Sequence, residues 1–124
     1  MFVKHFTLLE VRQQLPLVKS IVADILSRGQ MMKQVIAAHQ EQGLPIAARR
    51  IIEEIETLMA ELERMGCYYK DWNFEYGLVD FPAMVEGKEV LLCWRSDEID
   101  ISWYHGADDG YTSRKPLPVE WLIS

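Results

Sequence analysis

The sequence predicts an α+β fold, with a long antiparallel helical hairpin packed on a small antiparallel meander sheet of three to four strands. Two observations carry that prediction. Apolar residues in the first half recur at alternating steps of four and three, and after Gly66 the period falls to two. A Gly43-Leu44-Pro45 break then divides the helical half, as a helix stop followed by a helix start does. With 124 residues, the chain suits a single domain with one core: a helical hairpin over 7–66, then a sheet module and C-terminal tail over 67–124.

The first helix should begin at Leu8. Thr7-Leu8-Leu9-Glu10 spells a capping box, with Phe6 and Val11 placed as its hydrophobic staple. Pro16 kinks or restarts that helix, because proline removes one backbone hydrogen bond yet suits a first turn. Val18, Val22, Ile25, Gly29, Met32 and Ile36 form its apolar seam, running to about Gln42. Gly29 is a weak point, worth up to ~1 kcal/mol against alanine unless close packing needs it. The second helix carries its own seam, Ile51, Ile55, Leu58, Leu62 and Met65. Each helix would span ~30–40 Å at about 1.5 Å per residue, packed in the coiled-coil manner.

Strands are expected at 67–72, 78–85, 89–95 and 99–105, with tight turns at 86–88 and 96–98. Pleat parity sets Val79, Phe81 and Ala83 opposite Trp94, Leu92 and Val90 on an inward face. Ile99, Ile101 and Trp103 would complete that face if the second turn keeps the parity. The other face then carries Asp80, Cys93, Arg95, Asp100, Ser102 and Tyr104, turned to solvent. Residues 106–124 read as loop, with Trp121 and Leu122 tucking the tail down.

Composition narrows the function. Hydrophobic residues make up 49% and charged residues 26%, which excludes wholesale disorder. A net charge of -6 and a pI near 5.0 argue against a nucleic-acid partner. No apolar run approaches the ~20 residues of a membrane span, and no signal-peptide pattern opens the chain. Cys67 and Cys93 read as buried thiols of a cytoplasmic protein. Residues 67–124 hold five Lys or Arg against eleven Asp or Glu, so a visitor drawn to the sheet module by charge is cationic.

Asp80 and Arg95 suit a carboxylate–guanidinium pair on one sheet face. His105, closing a strand on the face of Trp103, has the side chain suited to acid–base or ligand chemistry near neutrality. No second histidine stands beside it, and 108–110 lacks the acid ladder of a calcium loop, so neither a His-rich zinc site nor a calcium loop is expected, and no cofactor is implied.

With those residues set out, the chain resembles a family of small bacterial proteins known as domain of unknown function 2203. The resemblance runs through Phe6-Thr7-Leu8-Leu9-Glu10, Leu15-Pro16, Lys70-Asp71, Gly77-Leu78-Val79-Asp80-Phe81-Pro82 and Leu92-Cys93-Trp94-Arg95. It ends with Tyr104-His105, Gly110-Tyr111 and Arg114-Lys115-Pro116-Leu117. It implies a shared polar pattern of Asp71, Asp80, Arg95, His105, Gly110 and Arg114, with Tyr111 beside it, and brings no activity with it. Gly106 departs from the acidic residue that often follows the histidine in that family.

Two functions follow as expectations. The leading one is a non-enzymatic interaction module that self-associates as a homodimer through the hairpin, because two long seams face one small sheet. The alternative is a small-molecule or metal-binding protein, possibly hydrolytic, with its site at Asp80, Arg95, His105, Arg114, Asp71 and Tyr111.

Overall fold

The structure is a computed structural model that describes residues 2–39 and 46–122. The expected Gly43 stop, the Pro45 start and the approach to Gln42 lie outside the described residues. Helix α1 spans Leu8–Ala38 and α2 spans Ile46–Met65. Both halves of the Thr7–Glu10 capping box form, and Phe6 and Val11 are buried beneath it. Pro16 lies inside an unbroken helix, so the chain does not restart there. Its missing N–H costs one rung of the helical ladder, and the buried Leu15 and Val18 on either side hold the turn in place.

The strands are β1 (Tyr68–Tyr69), β2 (Leu78–Val85), β3 (Lys88–Arg95), β4 (Trp103–Gly106) and β5 (Lys115–Pro116), paired antiparallel in that order. A short α3 (Val119–Leu122) follows. The sheet therefore has five strands, one more than the upper expectation. The extra strand, β5, lies in the segment read as loop; two residues ending in an edge proline carry no alternation to reveal them. β1 shrinks to two residues for a different reason: the chain after Tyr69 leaves the sheet for a loop built around Asp71.

The β2–β3 hairpin has the predicted register, with Val79↔Trp94, Phe81↔Leu92 and Ala83↔Val90. Glu86 (φ 51°) and Gly87 (φ 78°) form its two-residue turn, both left-handed as a turn matched to strand twist requires. All six paired residues are buried and join Val11, Leu15, Val18, Val22 and Ile25 of α1 and Leu62 of α2 in one core. Phe6 meets Phe81 edge-on, with ring centroids 5.4 Å apart.

The expected parity fails at β4. Cys93 pairs with Trp103, Leu92 with Tyr104 and Leu91 with His105. Trp103 and His105 thus share the face of Asp80 and Cys93, while Tyr104 turns inward and meets Trp121 with the two rings tilted. Ile99 is 89% exposed, although Ile101 is buried as expected. The cause is the connection over 96–102. After a turn closed by Glu98 N–H to Arg95 O, the chain leaves the pleat, and α1 holds it through Arg12–Asp100 and Lys19 to the Ile99 carbonyl. Alternation cannot be counted through residues outside the ladder.

Most of each helix seam finds cover within the chain. Val18, Val22, Ile25, Gly29, Ile51, Ile55 and Leu62 are buried, while Ile36, the last residue of the first seam, is exposed. Gly29 has its packing reason, since a Cβ there would stand 2.2 Å from the Phe74 ring.

Candidate functional site

The outer face of the sheet holds the polar cluster. Asp80 on β2 pairs with Cys93 on β3, and His105 on β4 pairs with Leu91, one pleat repeat along from Cys93. Three strands therefore deliver a carboxylate, a thiol and an imidazole to one spot. Their ligand atoms all lie within 4.8 Å of one another, and all three side chains are buried. This face is not turned to solvent as expected. The segment after β4 folds back over it, and Ala107, Asp109, Gly110 and Tyr111 roof a cavity of about 340 Å³. Asp80, Cys93 and His105 line its floor, and Phe2, Lys70, Leu78 and Leu91 complete its lining.

His105 is held at both ring nitrogens. Nδ1 lies 2.9 Å from the Gly106 carbonyl and Nε2 lies 3.1 Å from Oδ1 of Asp80. Both neighbours are acceptors, so with both nitrogens donating the ring is an imidazolium paired with a carboxylate. The Asp80 carboxylate, then the Cys93 sulfur and the Gly106 carbonyl, push the His105 pKa up to about 10 against the opposing effect of burial. The glycine after the histidine contributes its backbone carbonyl where the resemblance led one to look for an acidic side chain.

Arg114 flanks the cluster. It lies 4.5 Å from the Trp103 ring centroid and 4.7 Å from that of Tyr111, and its guanidinium grips Glu98 at 3.2 and 2.7 Å. Burial acts to lower the Arg114 pKa, but Glu98 and the adjacent Cys93 sulfur more than offset this and raise it. Arg95 does not pair with Asp80 as expected. It pairs with Asp97, donates to the Tyr111 hydroxyl and lies over the Tyr76 ring. Arg95 and Arg114 thus both hold Tyr111, a residue that lines the cavity.

Asp71 stands apart from the cluster. Its carboxylate accepts the backbone N–H groups of Asn73, Glu75 and Tyr76, closing the loop that presents Tyr76 to Arg95. Of the six predicted site residues, Asp80, His105 and Tyr111 line the cavity, Arg95 and Arg114 support Tyr111, and Asp71 shapes a neighbouring loop. Sequence reasoning missed two participants. Cys93 reads from the sequence as a thiol on the face of Asp80, but not as a member of the site. Glu98 was read as a turn residue, and nothing local marked it as the partner of Arg114.

A second cavity, of about 290 Å³, lies between Phe6, Leu8, Leu9, Ala83, Leu92, Leu117 and Trp121. Among the described residues, no group of three His, Cys, Asp or Glu side chains able to hold an ion lines it.

Fold and site together define an α+β protein with a roofed Asp–Cys–His cluster on the sheet face away from its helices. The chain belongs to the family described as uncharacterized conserved protein, domain of unknown function 2203, which it matches over residues 4–117. No curated protein and no solved structure matches it.

Proposed function

We propose that this protein binds a small polar ligand in the outer-face cavity, with Asp80, Cys93 and His105 as the floor and Tyr111 as part of the roof. One observation carries the reading: Asp80 and His105, 25 positions apart, meet at 3.1 Å in a buried cleft beneath open volume. A cavity of this size lies at the small end of the range for small-molecule sites. Two free, buried thiols fit a reducing, cytoplasmic setting. A thermal-shift screen against polar metabolites tests it, because a ligand selective for the folded form raises the melting temperature. At least one compound should stabilise the wild type and lose that effect in Leu91→Trp, which fills the cavity. If no compound does so, the reading is wrong. Hydrolysis is tested by following consumption of any stabilising compound.

Self-association is the second reading. Most of both seams is covered within one chain, so an intermolecular contact narrows to the end of the hairpin. Met31, Ile36 and Ile46 are exposed where α1 finishes and α2 begins. A coiled-coil-like contact there would cover them. Sedimentation velocity should then report a dimer that Ile46→Ser disperses; a wild-type monomer at the highest soluble concentration removes the reading. Among the described residues, no helix is long and apolar enough to cross a membrane.

A further inference from the structure

We infer that Asp80, Cys93 and His105 form a three-residue site for a thiophilic divalent cation of the Zn²⁺ type, with its fourth position open to the roofed cavity. The inference rests on the small-ligand reading above and names what the floor of that cavity holds.

The donor set is one carboxylate oxygen, one sulfur and one imidazole nitrogen. Sulfur disfavours Mg²⁺ and Ca²⁺, which take oxygen ligands, and favours Zn²⁺ and its neighbours. Three protein ligands with a fourth place for water or substrate is the pattern of catalytic rather than structural zinc. The donors come from three hydrogen-bonded strands, so the sheet itself fixes their spacing. The 3.1 Å separation of Nε2 and Oδ1 is near the edge of a tetrahedron with metal–ligand bonds of about 2.0–2.1 Å, roughly 3.3 Å. The other donor pairs, within 4.8 Å, need only side-chain adjustment to close.

The histidine is already oriented for the role. Its Nδ1–H donates to the Gly106 carbonyl, which aims Nε2 at Asp80; a backbone carbonyl at the far nitrogen is the usual support of a metal-bound histidine. Charge also balances. A divalent ion held by a neutral imidazole, a thiolate and a carboxylate makes an electrically neutral cluster. Such a cluster can be buried without leaving a net charge there.

Titration of chelator-treated protein with Co²⁺ and then Zn²⁺ tests this. Co²⁺ should bind at one equivalent with a thiolate-to-cobalt charge-transfer band, and Zn²⁺ should displace it. Cys93→Ser should remove the band, and His105→Gln should weaken binding at least about tenfold. Cys67→Ala, which alters the chain's other thiol, should leave the spectrum unchanged. Circular dichroism identifies variants that retain the fold. Failure of the folded wild type to take up Co²⁺ overturns the inference, as does a band that survives Cys93→Ser. If Co²⁺ fails while a metabolite still stabilises the wild type but not Leu91→Trp, the metal inference falls alone. If both fail, the small-ligand reading falls with it.

Discussion

His105 and Asp80 form an ion pair across a strand that belongs to neither of them. Their strands, β4 and β2, flank β3, and the imidazole and carboxylate close to 3.1 Å on the outer side of Cys93 and Leu91. Both groups are more than nine-tenths buried. Removing one partner of such a pair leaves an uncompensated buried charge, so the pair couples the central strands to one another as well as flooring the cavity.

That pair makes stability depend on pH with a definite sign. In the unfolded chain His105 titrates near 6.5, and in the folded chain near 10. A folded pKa above the unfolded one stabilises fully below the lower value, and the benefit is lost as pH climbs toward the upper. The urea midpoint of the metal-free chain should therefore fall between about pH 6.5 and pH 10. His105→Gln should flatten the difference across that window. A wild-type midpoint no steeper than that of the variant contradicts the assignment.

Gly29→Ala should destabilise, against the rule for exposed helix positions. Alanine gains up to about 1 kcal/mol in helix propensity. The new Cβ, however, meets the Phe74 ring at 2.2 Å, and overpacking of this kind costs about 1–3 kcal/mol. Chemical denaturation should show a net loss, and Phe74→Ala in the same background should reverse the sign of the glycine effect.

Arg114→Lys should cost about 1.5–3 kcal/mol, although charge is kept. An ammonium cannot grip both oxygens of Glu98 while lying flat between Trp103 and Tyr111. Combined with Glu98→Gln, the two losses should be less than additive, because each removes the same contact. Full additivity in a double-mutant cycle would show that the residues act separately.

Tyr69→Phe should be neutral or stabilising by about 1 kcal/mol. The Tyr69 hydroxyl is buried with no protein hydrogen-bond partner among the described residues, and its ring packs against Phe74 and Trp72. Thermal denaturation of the two proteins decides it; a large loss in the variant would reveal a partner for the hydroxyl.

The residues differ in how plainly they announced their roles. Thr7 and Glu10 are three positions apart and satisfy each other's backbone amides, so the helix start could be read without any tertiary knowledge. Val79, Phe81 and Ala83 found their partners because a two-residue turn leaves the register no freedom. Asp80 and Cys93 were placed on one face by the same turn. Trp103, Tyr104 and His105 were assigned to the wrong faces because the seven residues 96–102 do not behave as a tight turn. Arg95 was matched to Asp80 on shared parity, yet Asp97 two positions on is closer to its guanidinium.

What the sequence determined by itself is what short separations control: the capped helix, the apolar seams, the hairpin register and the change of period at Gly66. Capping, periodicity and two-residue turns act over a few positions and need no distant partner. Only the tertiary structure decided that His105 turns outward to meet Asp80 over Cys93, and that residues 107–111 roof the cluster. Those outcomes depend on where α1 anchors the 96–102 connection through Arg12 and Lys19, and on how Arg95 and Arg114 hold Tyr111. Contacts between residues tens of positions apart leave no periodic trace in the chain that makes them.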